Sequence, residues 1–412
     1  MILVPYSGGA ATPSEIALAA DDRGYQVVFI IHPDDEEARA QTRLLEAWGS
    51  VVVARAADDV EAARPVGAVA AVVAFADSVL PIAAEIATRL GLVGNDPAIV
   101  PRLVDKATQR HRLNECGIGA VASIGVAGAT PLESLRGHVP LPGVLKPTTG
   151  AGSRDTIFVD DFDELAGELA QYPPTARFVV EARIPEGDHP LGSWLSDHVS
   201  VESAVVAGEV THLGLSGRLP VIKPARERAL LFPIGVDERL TATLYSLAQQ
   251  AISGLGITAG LVHTEIKLSS LGPTIIEVNA RLGGGLATIM PAVGGLDPVG
   301  LALDIALNRA EFPALLPDEF RAPAPVGMHY YAQPPFEAVR LETAPETRVL
   351  RKLAGVFGAD RHVRDGEAVS WRNGSAGRIF DIYIRADSLA ELEHRTNAVE
   401  AVLTESTKWS AS

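Results

Sequence analysis

The sequence predicts a multidomain chain of mixed α/β and α+β class that opens with a doubly wound α/β domain. Three observations predict it. The chain has 412 residues, more than one ordinary hydrophobic core accommodates. Its first 95 residues alternate short apolar runs with longer amphipathic segments, the pattern of a parallel sheet with helical crossovers. From about residue 139 the texture changes to strands joined by glycine-rich turns.

Within residues 1–95, "MILVPY", "YQVVFII", "SVVVARA" and "GAVAAVVAF" are predominantly apolar and read as buried parallel strands. "TPSEIALAADDRG", "DDEEARAQTRLLEAWG" and "LPIAAEIATRLG" read as the helices between them. The turn "YSGGAATPS" (6–14) lacks GxGxxG and reads as a tight βα turn ending in a Ser or Thr cap. Residues 96–138 read as a helical connector. Its helix begins at Asp105 and ends near Cys116 and Gly117, putting Lys106 and Arg110 on one face. Cys116 reads as a small buried residue.

Residues 139–311 form a mixed α+β block: strands in "PGVLKPTTGAGSRDTIFVD", "RFVVEARIPEG" and "VSVESAVVAGEVTHLGLS", a helix over 237–256, a hairpin over 259–280 and a helix over roughly 297–310. A proline-rich linker at 312–325 leads into a C-terminal α+β domain (312–412), with a strand in 378–386 and a closing helix over 388–405.

Composition bounds the function. Hydrophobic residues make up 47% of the chain, which excludes a disordered protein. A formal charge of −16 argues against a general grip on nucleic acid or anionic membrane, since both need positive charge. The single cysteine suits a reducing compartment. With no basic start and no apolar run of about 18 residues, the expectation is a soluble cytoplasmic protein.

The hairpin carries the chemistry. In "TIIEVNARLGGGLA" (274–287), strand alternation puts residues 275, 277, 279 and 281 on one face, with Ile276, Val278 and Ala280 packing behind. If pairing is symmetric about Leu271, Glu265 faces Glu277 and His263 faces Asn279. Directly opposed carboxylates, with Cβ atoms about 4.5–5.5 Å apart, destabilise a sheet unless a cation lies between them. Two carboxylates and an amide oxygen are hard ligands, which points to Mg²⁺, with Mn²⁺ an alternative, over zinc. Arg281 suits the oxygens of a transferring phosphoryl group. "VLKPTTGAGSRD" puts Lys146 at a strand end before a Gly/Thr/Ser loop whose amides suit phosphates, although it is not a P-loop. "FVVEARIPEGD" ends a buried strand at Glu181, a place for a hinge. A solvated hairpin face and a plain glycine-rich turn are the alternative readings of these stretches.

In that order and spacing, the lysine with its glycine-rich loop, the hinge "EARIPEGD", Glu265 and "EVNAR" resemble the ATP-grasp superfamily of carboxylate–amine ligases. Within it, "VLKPTTGAGSRDT", "GLSGRLP" and "HTEIK…EVNARLGGG" look most like the L-amino-acid ligases that build dipeptides and peptide antibiotics. The resemblance implies an ATP-grasp fold behind a Rossmann-like domain. It implies that Lys106 and Lys146 contact ATP phosphates beneath a lid of Thr149, Gly150, Ala151, Gly152 and Ser153. Glu181, Ala182 and Ile184 would meet the adenine, Asp188 the ribose, and Leu268 would form the floor. Glu265, Glu277 and Asn279 would hold two Mg²⁺, while Arg281, His263 and Arg218 would serve the reacting groups, with Arg226 near a substrate carboxylate. The implied substrates are small molecules, an amino-acid carboxylate and an amine, and the implied assembly is a homodimer. A ligase or biotin-dependent-type carboxylase of primary metabolism, and an ATP-binding protein without chemistry, stay open as alternatives. His212 as an acceptor-pocket residue and Trp194 as surface packing complete the expectations.

Overall fold

The computed structural model describes residues 1–62, 67–128, 130–309 and 325–411. Apart from Pro325, the proline-rich stretch read as a linker lies outside the described residues.

The N-terminal sheet contains β1 (Ile2–Pro5), β2 (Val27–Ile31), β3 (Ser50–Val53) and β4 (Ala71–Val72), in the order β3-β2-β1-β4. Every pairing is parallel, as a doubly wound domain requires. β4 is shorter than its apolar run suggests. Thr12 caps the helix Pro13–Asp21 in a capping box with Glu15, so the first βα turn is the capped turn expected. The helix expected over "DDEEARAQTRLLEAWG" is instead two, Glu36–Ala40 and Thr42–Glu46. At the break the Thr42 hydroxyl donates to Arg39 O (2.7 Å), a local bond that competes with the helical ladder.

A small antiparallel sheet follows: β5 (Ser123–Ala127), β6 (Gly143–Pro147), β7 (Ile157–Val159) and β8 (Arg177–Ala182), ordered β5-β8-β6-β7. It packs Leu145, Phe178 and Val180 against Leu165 and Leu169 of the helix Phe162–Leu169.

The large sheet has eight strands. β9 (His198–Val206), β10 (Glu209–Arg218), β11 (Ala229–Ile234), β12 (Gly260–Ser269), β13 (Gly272–Asn279) and β14 (Val326–Ala332) are joined by β16 (Val356–Arg361) and β17 (Phe380–Ala386). Their order is β13-β12-β9-β10-β11-β14-β17-β16, so strands from beyond residue 325 continue the sheet that holds the hairpin. β15 (Ala338–Thr343) and β18 (Lys408–Ala411) make a separate ribbon.

The large sheet is covered on both faces. On one, the helix Glu238–Leu255 buries Leu244, Ala248, Ala251, Ile252 and Leu255. On the other, helices Leu286–Gly294 and Pro298–Ala306 share a core with Ile2, Val4 and Phe29 of the N-terminal sheet. That bent pair passes by length and composition for a broken membrane span, yet it is buried in this core; among the described residues no single helix is long and apolar enough to cross a membrane. The connector helix Lys106–Glu115 starts at its Asp105 cap as expected. Cys116, at its end, is exposed rather than buried.

Candidate active site

The hairpin reaches the expected pairing by an unexpected route. Ser269 pairs with Gly272, so the loop is two residues long and a regular ladder would put Glu265 opposite Ile276. One extra residue on β13 corrects this, and Glu265 faces Glu277 while His263 faces Asn279. The bulge changes the alternation. Ile275, not Ile276, is fully buried and joins Val278 and Ala280 in the core, while Ile276 is half-buried. The connector helix fixes this kink. Arg110 Nη2 donates to Ile275 O (3.0 Å) and Ile276 O (2.7 Å), and the Gln109 amide takes both backbone groups of Val278, each at 2.8 Å.

Around the hairpin the charges interlock. Lys106 Nζ lies 2.8 Å from Glu277 Oε1 and donates to Gly150 O at 2.7 Å. Burial pulls its ammonium down, but Glu277, with Asp77 and Glu265, outweighs this and raises it. Asn279 Nδ2 donates to Glu265 Oε1 (3.2 Å), and Arg281 Nη2 donates to Asn279 Oδ1 (3.4 Å). Arg281 Nε donates to Asp77 Oδ2 (2.9 Å), whose other carboxylate oxygen is buried without a partner. His198 Nε2 stands 3.4 Å, and His263 Nε2 3.6 Å, from Glu265. Burial alone would raise the Glu265 carboxyl; His198 and His263 hold it well below the ordinary range.

This donor set suits a hard divalent cation. Among the described residues no group of three or more His, Cys, Asp or Glu forms a cage. Glu265, Glu277 and the Asn279 oxygen are the residues here that could hold such a cation, a sparse oxygen set of the kind Mg²⁺ completes with water and phosphate. The Lys106 ammonium pairs with Glu277, and the Asn279 amide nitrogen donates to Glu265.

Opposite the hairpin, Lys146 Nζ bonds Glu181 Oε2 (2.8 Å), and Arg110 Nε bonds Glu181 Oε1 (3.0 Å). Glu181 is therefore a buried carboxylate between two cations. Burial pushes it up, but Lys146 and Arg110 prevail and hold it at about 2. Thr148 exchanges backbone bonds with Lys106 and Arg177, which anchors the loop that carries Thr149, Gly150, Ala151, Gly152 and Ser153. The amides of Ala182 and Arg183 donate to Ala122 O (2.8 Å) and Pro142 O (2.9 Å). Asp188 is exposed. Leu268 is buried beside the hinge, where a Cβ on Gly187 would collide with its carbonyl oxygen.

His263 is buried. Its Nδ1 contacts both Glu202 oxygens (2.8 and 2.9 Å), and Ser216 Oγ donates to Glu202 (2.6 Å). Burial lowers the imidazole, yet Glu202 and then Glu265 raise it to about 9 against the opposing charge of Arg218. Arg218 Nη2 is 2.9 Å from His263 Nε2, and its Nε donates to Glu227 (3.0 Å). Arg226 is turned inward and buried, donating to Lys223 O and Pro334 O. His212 stacks on Tyr245 and bonds Ser203, on the opposite face from Glu202 and His263. Trp194 packs, partly buried, against the core.

Asp77, Glu202, Glu227 and His198 escaped the sequence reading. Glu202 had a signal: one carboxylate inside the apolar run "VSVESAVVA". For Asp77 the only hint was a carboxylate just past a buried strand.

No family model matches the chain. It is 26% identical over 242 residues to the alanine–anticapsin ligase of Bacillus subtilis (strain 168), a match covering 54% of this chain and 50% of that protein. The chain spans about half the length, or less, of the first curated relatives it matches. Among solved structures, an L-amino acid ligase from Bacillus licheniformis superposes with a TM-score of 0.77 at 18% identity, covering 100% of this chain and 98% of that one. A carboxyaminoimidazole ribonucleotide synthase from Aspergillus clavatus, complexed with ATP, superposes with a TM-score of 0.72 at 14% identity, covering 98% of each chain.

Proposed function

We propose that the chain is an ATP-grasp enzyme, an ATP-dependent ligase joining a carboxylate to an amine with amino acids as the substrate class, a reading supported by its fold likeness to the L-amino acid ligase and its sequence likeness to the alanine–anticapsin ligase. The observation that carries this reading is the facing pair Glu265 and Glu277, with Asn279, Arg281 and Lys106 around it. In the reaction a substrate carboxylate oxygen attacks the γ-phosphorus of ATP and ADP leaves. The amine then attacks the acyl carbon, the C–O bond to phosphate breaks, and phosphate departs with the amide formed.

Phosphoryl transfer asks the protein for position and positive charge more than for covalent help. Lys146 and Lys106 supply charge to the phosphates, and Arg281 to the transferring group. Mg²⁺ held by Glu265, Glu277 and Asn279 would add charge neutralisation between phosphate oxygens. Glu181 keeps Lys146 aligned, and the hinge at Ile184 with the Leu268 floor forms the adenine slot, with Asp188 at the ribose. Residues 149–153 close over the phosphates and keep water from the acyl phosphate, which it would hydrolyse. Homodimeric assembly and a cytoplasmic location complete the proposal.

A panel of amino acids and simple amines, read by phosphate release and then by product mass, tests the reading. It predicts ADP and a condensed product losing one water. Hydroxylamine added in place of the amine should trap the acyl phosphate as a hydroxamate. Dependence on biotin and bicarbonate would overturn it, as would ATP binding without turnover across the panel.

A further inference from the structure

Beyond Arg218 lie buried polar atoms that no other group of the fold pairs. Gln333 follows β14, and its Nε2 donates to Glu227 O (3.2 Å) and Ser375 O (3.3 Å), tying together three segments far apart in sequence. Its Oε1, and the Ser375 hydroxyl, are buried without partners. Glu227 gives Oε1 to Arg218, and its side chain keeps 21% exposure. Native folds rarely leave buried polar atoms unpaired, because desolvation is not returned unless something pairs with them.

These residues also adjoin the reacting centre. Arg218 connects them to His263, which faces Asn279 across the hairpin. Burial and then Glu227 push the Tyr331 hydroxyl up against the opposing charge of Arg218, and that hydroxyl is 3.9 Å from where a Cβ on Gly284 would stand. Overhead, Ser375 N donates to Gly152 O in the glycine-rich loop (2.7 Å). Gly374 fits there only without a side chain, since a Cβ would collide with that carbonyl.

We propose that Glu227, Gln333 and Ser375 form a subsite for the ammonium group of an α-amino-acid substrate. An ammonium carries three N–H donors and no acceptor. The unpartnered Gln333 oxygen and the second Glu227 oxygen accept only, and the Ser375 hydroxyl can accept, so together they suit a cation. Arg218, engaged with Oε1, orients the carboxylate. This rests on the ligase reading. The ammonium is either the one the activated amino acid retains or the one on the incoming amino acid before it attacks.

Two arms distinguish these sources, using the full chain and its Glu227→Gln and Ser375→Ala variants. The first holds hydroxylamine as acceptor and compares an amino-acid donor with its des-amino analogue through hydroxamate yield. The second holds the donor and compares an amino-acid acceptor with hydroxylamine. Loss of a charge-assisted contact predicts that the preference for the ammonium-bearing partner falls about ten- to a hundredfold in Glu227→Gln. A smaller fall follows in Ser375→Ala, which keeps the backbone bond to Gly152 and guards against a folding defect. A fall in the first arm assigns the retained ammonium; a fall in the second alone assigns the incoming one. Equal changes for both partners in both arms, or no change, would overturn the subsite. A wild-type chain releasing no ADP with any amino acid is a different result, which removes the ligase reading and this subsite with it.

Discussion

On the hairpin side of the cleft, Gln109 and Arg110 hold successive backbone groups of β13, and Lys106, Asn279 and Arg281 occupy the carboxylates and amide between them. On the opposite side, residues 149–155 run through Gly150 at φ 115°, Gly152 at φ 67°, Ser153 at φ 56° and Asp155 at φ 50°, with much of their surface exposed. One wall has its charges locked by partners from three regions of the chain. The other is a loop of left-handed conformations resting on Lys106 and Ser375. The contrast divides the labour of the proposed reaction: the stitched wall positions charge, and the loop admits ATP and then excludes water.

The comparison breaks most severely if the stitched wall is emptied of charge. Glu277→Gln should lower ADP formation by about a thousandfold or more, as expected when a group aimed at developing charge is lost; a coupled assay reads it, and substantial retained activity with Mg²⁺ would contradict the assignment. Arg110→Met removes one partner of a buried ion pair and releases the bulge carbonyls, so chemical denaturation should show a loss of about 3–5 kcal/mol. Glu181 gives the acid limb. Its carboxyl sits at about 2 when folded, against 4.5 in a free chain, because Lys146 and Arg110 overcome the burial that pushes it up. The resulting stabilisation, about 3 kcal/mol, is complete above pH 4.5 and disappears as pH falls towards 2. Glu181→Gln should flatten that part of the stability–pH curve, which urea unfolding at several pH values would record. The smallest effect belongs to the loop. Gly150→Ala strains a left-handed residue by about 1 kcal/mol, so turnover should fall several-fold while the melting temperature barely changes.

How much of this was legible in the sequence follows from the range of the forces involved. Local signals gave the parallel N-terminal strands and the Thr12 and Asp105 caps, whereas the facing of Glu265 and Glu277 follows from symmetry about Leu271 only because a bulge offsets the two-residue turn. The bulge that produces this facing was not legible, because Arg110, which fixes it, lies 165 residues away in sequence from Ile275. For the same reason Ile276 was placed in the core and Ile275 was not. The helix break at Gln41 depended on a single Thr42 hydroxyl. At the site, Lys106, Lys146 and the "EVNAR" triad stood out by type and spacing. Asp77 and Glu227 did not, and Glu202 stood out only as a lone carboxylate in an apolar run, since each acquires its role from a neighbour supplied by another strand or domain.

The central claim is that Glu265 and Glu277 together hold divalent metal against a polyphosphate. Titration of Mn²⁺ into the chain with a non-hydrolysable ATP analogue, followed by electron paramagnetic resonance, addresses it directly. The account predicts two tightly held ions in the wild type and affinity weakened by about a hundredfold or more in Glu265→Gln and Glu277→Gln. Unchanged Mn²⁺ binding in both variants would contradict it.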